Sequence, residues 1–102
     1  MKLAADPGEL RSLLNQVGLA IVDEHVESVR SAGLDQATHV DPTRFIRWRI
    51  ESRWRSRGVL QGTIDGWTFE KFTWQGVQPV CEGPSREASA QAVVEFVARQ
   101  LS

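Results

Sequence analysis

The sequence predicts an α+β fold, a two-layer α-β-β-β-(β)-α domain with both terminal helices packed on one face of a small antiparallel sheet. An Asp-Pro start signal precedes an apolar stripe at helical spacing near the N-terminus. Alternating residues around an Asp-Gly turn indicate hairpins in the middle, and a second helical stripe ends the chain. Because 102 residues is the usual size of one domain, we expect a single domain over residues 1–102.

The first predicted helix covers residues 7–32. Asp6 is the expected N-cap and Pro7 the first helical residue. Glu9, at the third helical position, completes a capping box with Asp6. Two apolar stripes follow, and together they are wider than one sheet face usually covers. The second stripe therefore predicts a self-association surface on this helix and a possible homodimer. The stripes are Leu10, Leu14, Val17, Ile21, His25 and Ser28, and beside them Leu19, Val22, Val26 and Val29.

Residues 34–43 are predicted to connect this helix to an arginine-rich segment, residues 44–57. Asp41-Pro42 before the segment and Gly58 after it would suit a helix. Strand alternation sorts the residues better, because it sends apolar side chains to one face and charged ones to the other. We therefore favour a strand. Its apolar face holds Ile46, Trp48, Ile50, Ser52 and Trp54, and its charged face holds Arg47, Arg49, Glu51, Arg53, Arg55 and Arg57.

Two hairpins are predicted to follow the arginine-rich strand. The dipeptide Asp65-Gly66 between apolar residues is a strong two-residue turn signal, and it predicts that Gly62 faces Phe69. A three-residue loop over 56–58 is predicted between the first two strands, because it places Leu60 opposite Trp54 on the apolar face. We prefer it to a two-residue Arg57-Gly58 loop, which would put Leu60 among the arginines.

The last third of the chain predicts an edge strand and a helix. Residues 77–82 are a candidate fourth strand that Pro79 restricts to a sheet edge. Residues 86–101 form the second predicted helix, with Ser85 as the expected N-cap. Its buried stripe is predicted to be Ala90, Val93, Val94, Val97 and Leu101.

Charge is distributed unevenly along the chain. Residues 44–57 have a net charge of +5, whereas residues 1–43 have −4 and residues 58–102 have −2. The positive charge is therefore concentrated in one strand, on the sheet face that the helices leave open. We expect that face to be the partner-binding surface, and its predicted binding residues are Arg47, Arg49, Arg53, Arg55, Phe72 and Trp74.

Several interpretations of this arginine face compete. It can be a solvated face with weak surface ion pairs. It can bind a protein partner, because arginine and tryptophan are enriched at binding hot spots. It can bind nucleic acid through phosphate contacts and base stacking, although the net charge of −1 opposes that. Separately, Gly62 on the apolar face predicts a small-ligand pocket between sheet and helix.

The sequence offers little for catalysis, and we expect a non-enzymatic protein without cofactor or metal. It has no glycine-rich phosphate loop and no paired-histidine metal motif. His25 is expected to be a core histidine, and His39 a surface one. Cys81 with either histidine is a weak candidate for a nucleophile. One cysteine and the absence of an apolar run of membrane-spanning length predict a cytoplasmic protein without membrane contact.

The predicted α-β-β-β-α order is similar to that of double-stranded-RNA-binding domains. Residues 84–88, Pro-Ser-Arg-Glu-Ala, resemble the serine-led start of the last helix in that family. The family's run of lysines at that point is absent, since only Arg86 is basic, and the first predicted helix is longer. The resemblance is therefore one of topology, which does not by itself assign a function.

Overall fold

The computed structural model describes residues 3–28, 43–52, 56–73 and 75–101 of the chain. It confirms the α+β prediction: two helices pack against one face of an antiparallel sheet. The strand order is β1-β2-β3-β4-β5, and β6 pairs with β4. The elements are α1 (Pro7–Gln16), β1 (Leu19–Ser28), β2 (Thr43–Ser52), β3 (Arg57–Thr63), β4 (Gly66–Thr73), β5 (Gly76–Val77), β6 (Cys81–Glu82) and α2 (Ala90–Leu101).

Helix α1 begins where the sequence predicts. The Asp6 carboxylate accepts a hydrogen bond from the Glu9 backbone N–H at 3.0 Å, and Pro7 follows the cap. This bond satisfies one of the backbone donors that a helix start leaves unpaired. Leu10 and Leu14, both from the first predicted stripe, are fully buried.

The prediction of one helix over residues 7–32 is wrong for residues 17–28. Residues 29–32 and most of the predicted connection, residues 34–42, lie outside the described residues. Gly18 has a φ of 80°, a left-handed conformation that glycine adopts readily and that commonly ends a helix. Residues 19–28 then form strand β1, which pairs antiparallel with β2. The second apolar stripe therefore belongs largely to a sheet strand, which removes the predicted self-association surface from the helix. The chain also has more strands than the double-stranded-RNA-binding order, so that topological similarity does not hold.

The strand assignment of the arginine-rich segment is confirmed over β2, but the predicted register with β3 is wrong. Leu60 lies opposite Trp48, and Ile50 lies opposite Gly58. The three-residue loop had placed Leu60 opposite Trp54 instead. The observed partner is six residues earlier, and because side chains alternate with a period of two, an even shift leaves every residue on its predicted face.

The β3–β4 hairpin shows a shift of the same kind. The turn residues are Ile64 and Asp65, and Gly66 already belongs to β4 with a φ of 117°. Gly62 consequently faces Trp67 rather than Phe69. A Cβ atom on Gly62 would lie 2.6 Å from the Trp67 ring, so the indole fills the space above this glycine. The small-ligand pocket predicted at Gly62 is therefore occupied by a side chain of the protein itself.

The single edge strand predicted over residues 77–82 is at the sheet edge, as Pro79 indicated, but it is divided into two short strands. Strands β5 and β6 pair with different parts of β4, and residues 78–80 between them are outside any strand. Helix α2 begins four residues later than predicted, because the Ser89 hydroxyl, not that of Ser85, accepts the hydrogen bond from the Ala92 N–H at 3.2 Å. Ser85 instead caps a separate turn by accepting from the Glu87 N–H.

One hydrophobic core joins both helices to the sheet. Every residue predicted for the α2 stripe is buried, and Phe96 is buried with them. Trp48 and Trp67 are core residues as predicted, whereas Trp54 lies outside the described residues. From the sheet the core takes Ile46, Trp48, Ile50, Leu60, Trp67 and Phe69. In the part of the chain that the structure describes, neither helix is long and apolar enough to span a bilayer.

Candidate functional site: the open face of the sheet

The candidate site is the sheet face opposite the helices, here called the open face. Successive side chains of a strand point to opposite faces, so the neighbours of each core residue lie on this face. In β2 the core residues are buried, while Arg47 and Arg49 between them are exposed. The described open-face residues that concern the site are Asp23, His25, Glu27, Phe45, Arg47, Arg49, Glu51, Arg57, Val59, Gln61, Thr68, Glu70 and Phe72.

Strand pairing brings these side chains into rows across the sheet. One row runs from Asp23 through Arg49 and Val59 to Glu70. Directly opposed side chains in an antiparallel pair have Cβ atoms about 4.5–5.5 Å apart. Each member of the row is thus within reach of a long neighbouring side chain, and Arg49 lies between a carboxylate and an aliphatic residue.

The next row starts at His25 and passes through Arg47 to Gln61. His25 is well exposed, at 63% of its side chain, and its ring meets the Phe45 ring edge-on at a centroid distance of 5.8 Å. The expectation of a core histidine is therefore wrong. It rested on the helical periodicity of residues 7–32, which the strand replaces.

A groove of about 400 Å³ lies on this face, and we call it the open-face groove. Its walls come from four adjacent strands. Acidic and imidazole groups come from β1, the two guanidinium groups from β2, and apolar groups from β3 and β4. The lining residues are Asp23, Glu24, His25, Arg47, Arg49, Val59 and Phe72.

The two arginines of the groove have no ion-pair partner among the described residues. One acid that lines the groove already has an ion-pair partner outside it. Glu24 pairs with Arg11 of α1, whose guanidinium also lies 5.5 Å from the centre of the Trp48 ring. A guanidinium presents five donors in a planar fork, so Arg47 and Arg49 leave donor capacity for an external carboxylate or phosphate.

The described open face carries a mixed charge. Its basic groups are Arg47, Arg49 and Arg57, and its acidic groups are Asp23, Glu27, Glu51 and Glu70. Acids and arginines alternate in position: Arg57, for example, lies opposite Glu51. Among the described residues, the acids of the open face therefore balance its arginines in number.

Three of the six predicted binding residues meet in the groove: Arg47, Arg49 and Phe72. The other three, Arg53, Arg55 and Trp74, lie outside the described residues. Sequence reasoning missed the groove's β1 wall and Val59. The signal for that wall was the alternation Asp23-x-His25-x-Glu27, which places polar residues on one face of a strand.

The structure does not bring together the Cys81–His25 pair that the sequence left as a weak nucleophile candidate. Cys81 is half-buried on β6, while His25 lies on β1 at the opposite edge of the sheet. With strands about 4.8 Å apart, three intervening strands keep the two groups far beyond hydrogen-bonding reach. His39 lies outside the described residues.

A metal centre was not expected from the sequence. Within the described residues no group of three or more histidine, cysteine, aspartate or glutamate side chains could hold a metal ion. The acids of β1 are spread along a strand that exposes them to solvent on both faces. The groove presents guanidinium donors, carboxylate acceptors and two apolar side chains.

Comparison of the chain with protein-family models, with curated proteins and with solved structures gave no match.

Proposed function

We propose that this protein is a non-enzymatic binding module that contacts an acidic segment of a partner protein in the open-face groove. The observation that carries the proposal is the pair of groove arginines without a described ion-pair partner, next to two half-buried apolar side chains. Arg47, Arg49, Val59 and Phe72 are the proposed contact residues. Arg53, Arg55 and Trp74 remain proposed contributors on the basis of sequence alone.

The arginines favour a carboxylate ligand. Hydrogen bonds between a guanidinium and a carboxylate are charge-assisted, and they are roughly twice as strong as neutral ones. Arg47 and Arg49 are two residues apart on β2, so their Cα atoms are about 7 Å apart. This separation suits two acidic side chains that alternate along an extended segment.

The apolar groups favour a polypeptide over a small anion. Val59 and Phe72 lie beside the arginines and are half-buried, so a ligand side chain that covers them removes apolar area from water. Acidic residues alternating with large apolar residues would satisfy both parts of the groove. A binding site of this kind gains specificity from the charges and affinity from the apolar contact.

Nucleic acid is the alternative ligand for the same face. A surface that binds a phosphate backbone usually carries a continuous patch of positive charge. The described open face instead has one more acidic than basic group, and Asp23 lies directly opposite Arg49. A phosphate backbone that follows the row of Arg49 would meet the carboxylates of Asp23 and Glu70, which disfavours the nucleic-acid hypothesis relative to a discrete acidic segment.

A small ligand is the second alternative. Because Trp67 fills the space at Gly62, the open-face groove is the candidate site for such a ligand. Its volume is within the usual range for ligand pockets, about 300–1,000 Å³. Such pockets usually enclose most of the ligand, whereas here four strands of an open sheet form one wall. We therefore rank a protein segment above a small molecule.

Fluorescence anisotropy with the full chain tests the proposed function. The probe is a labelled peptide of alternating glutamate and leucine, and its matched control replaces each glutamate by glutamine. We expect the glutamate peptide to bind more tightly, with an affinity that falls as salt is added. Labelled duplex RNA, duplex DNA and single-stranded DNA, titrated at low and moderate salt, test the alternative.

The variant Arg49→Glu should weaken binding of the glutamate peptide by about tenfold or more, since it replaces a charge-assisted bond by repulsion. Arg44→Glu is the matched control: Arg44 is exposed on the same strand but does not line the groove. Equal losses in both variants would show only a general charge effect. Tight, salt-dependent nucleic-acid binding without peptide binding would replace the proposal by its alternative.

A further inference from the structure

Strand β1 forms one edge of the sheet. It spans ten residues, Leu19–Ser28, and all of them except Val22 pair with β2 on one side. No strand in the described part of the chain pairs with the other side. The edge of a sheet presents a row of backbone donors and acceptors that can pair with another strand, so a ten-residue edge needs either protection or a partner.

The pairing with β2 is regular between two irregularities. The register shifts between Ile21 and Asp23 and again between Glu27 and Ser28. Between them lie the five residues Asp23–Glu27. Three of these five are acidic and none is lysine or arginine. Glu24 is paired with Arg11 of α1, so the negative charge available along the regular part of the edge comes from Asp23 and Glu27.

Exposed valines accompany these acids. Val22 is 49% exposed and Val26 is 40% exposed. Acidic side chains protect a sheet edge from pairing with a second copy of itself, because like charges would face each other. Protection by charge does not explain why two valines are exposed beside the acids. A partner strand on this edge would cover part of these valines and remove apolar area from water.

We propose that the outer edge of β1 binds an extended, basic segment of a partner protein, which adds to the sheet as a further strand. The charge of the edge selects the occupant: an incoming strand with lysine or arginine opposite the acids gains cross-strand attraction. Backbone hydrogen bonds supply the affinity, and alternate side chains supply the specificity. The edge shares Asp23, Glu24 and His25 with the β1 wall of the open-face groove, but Val26 and Glu27 lie outside that groove, so a variant at Glu27 tests the edge alone.

The edge also predicts a sequence pattern for its ligand. Asp23 and Glu27 point to the open face four residues apart, a distance of about 13 Å along the strand. Two basic residues at the same spacing would lie opposite them. Val26 points to the helix-side face. A ligand residue opposite Val26 should therefore be apolar, and it is the neighbour of the basic residue opposite Glu27. For an antiparallel strand this pattern is Lys-Val-Thr-Thr-Lys.

The test uses the full chain and a labelled peptide, Thr-Lys-Val-Thr-Thr-Lys-Thr. One matched control peptide replaces both lysines by glutamate. A second replaces the central Thr-Thr by Pro-Pro, which removes two successive amides and therefore at least one that faces β1. We expect only the first peptide to bind measurably in anisotropy titrations. Hydrogen exchange should show new protection at alternate β1 amides on addition of that peptide.

Two charge-reversal variants localise the site. Glu27→Lys should weaken binding of the lysine peptide about fivefold or more, since an attractive cross-strand pair becomes repulsive. Glu82→Lys is the control, because Glu82 is an equally exposed acid on β6 at the opposite edge of the sheet. Failure of the glutamate–leucine peptide to bind the groove would leave this result unchanged, so the two proposals fail separately.

Three results would overturn the proposal. Binding of the lysine peptide without protection in β1 would place the site elsewhere. Outer β1 amides already protected in the free protein, with a monomeric mass in light scattering, would show that another part of the chain occupies the edge. A dimeric mass with the same protection would show that a second copy does.

Discussion

Trp48 and Arg49 are neighbours in β2, yet one is fully buried beneath the helices and the other is exposed in the open-face groove. The neighbours Leu60 and Val59 in β3 and Phe69 and Glu70 in β4 alternate in the same way, with Leu60 and Phe69 buried and Val59 and Glu70 half-buried. The same backbone hydrogen bonds thus hold two surfaces, one buried against the helices and one open to solvent. The helix-side face gains free energy by excluding water, whereas the open face keeps its groups available to a ligand.

The comparison teaches how freely each face can change. A core residue touches many others, so its replacement alters packing in several elements at once. An open-face residue contacts mainly its cross-strand neighbours and solvent. We therefore expect substitutions on the helix-side face to lower stability strongly, without a binding effect of their own. Substitutions on the open face should change binding and leave stability nearly unchanged.

The largest effect is expected for Ile50→Asp, which puts a carboxylate on the fully buried helix-side face. Burying an unpaired charge costs several kcal/mol, a large part of the about 5–15 kcal/mol that stabilises a typical domain. We expect loss of the folded state in circular dichroism and in thermal melts. The neighbouring Arg49→Asp should stay folded. A cooperative melt for Ile50→Asp would contradict the assignment of the buried face.

A smaller loss of stability is expected for Gly58→Ala. A Cβ atom there would lie 2.5 Å from the Glu70 carbonyl oxygen and 2.5 Å from the Phe69 ring. Overpacking of this kind costs about 1–3 kcal/mol. Urea denaturation should show it as a lower midpoint, while Gln61→Ala on the open face of the same strand should change stability by about 0.5 kcal/mol or less. If Gly58→Ala and Gln61→Ala lowered the urea midpoint equally, the expected difference in stability effect between the two faces would be contradicted.

The helix layer itself is tested by Asp6→Ala. This change removes the carboxylate that accepts the Glu9 N–H, and loss of such a cap typically costs about 0.5–2 kcal/mol. Asp6→Asn keeps an acceptor at the same position and should restore most of the stability. Urea midpoints of the two variants check this. If alanine and asparagine behaved alike, the hydrogen bond would not be the cause.

The smallest stability change is expected for Arg49→Glu, about 0.5 kcal/mol or less, because the side chain is exposed and has no described ion-pair partner. Its effect should appear instead in binding of the glutamate–leucine peptide. Paired melts and anisotropy titrations on the same preparation separate the two quantities. A strongly destabilised Arg49→Glu would show that the open face also helps to hold the fold.

Much of the fold could be read from the sequence where local rules and burial agree. Asp6-Pro7 marks the start of α1, and the spacing of Val93 and Val97 marks the buried side of α2. The alternation in β2 identified both faces of the sheet. The errors fall where local patterns are ambiguous: residues 19–28 fit a helical stripe and a strand about equally well, and only the presence of β2 as a partner decides between them.

The candidate site was predictable only in part for the same reason. Arg47, Arg49 and Phe72 were found because alternation alone assigns them to one face. Asp23 and His25 were missed because no local rule places them beside an arginine more than twenty residues away in sequence. Cross-strand neighbours depend on register, and register depends on tertiary packing as well as on turn chemistry.

By itself, the sequence determined the buried side of α2, which face of the sheet holds the arginines and where α1 begins, because these follow from periodicity, charge and capping chemistry. It placed His25 in the core, where the structure does not put it. The tertiary structure decided the identity of β1, the register of both hairpins and the position of Asp23 opposite Arg49. The physical reason is that a strand completes its hydrogen bonds only with another segment. Which segment that is depends on the packing of the whole core, in which the Phe69 and Trp67 rings lie against Gly58 and Gly62.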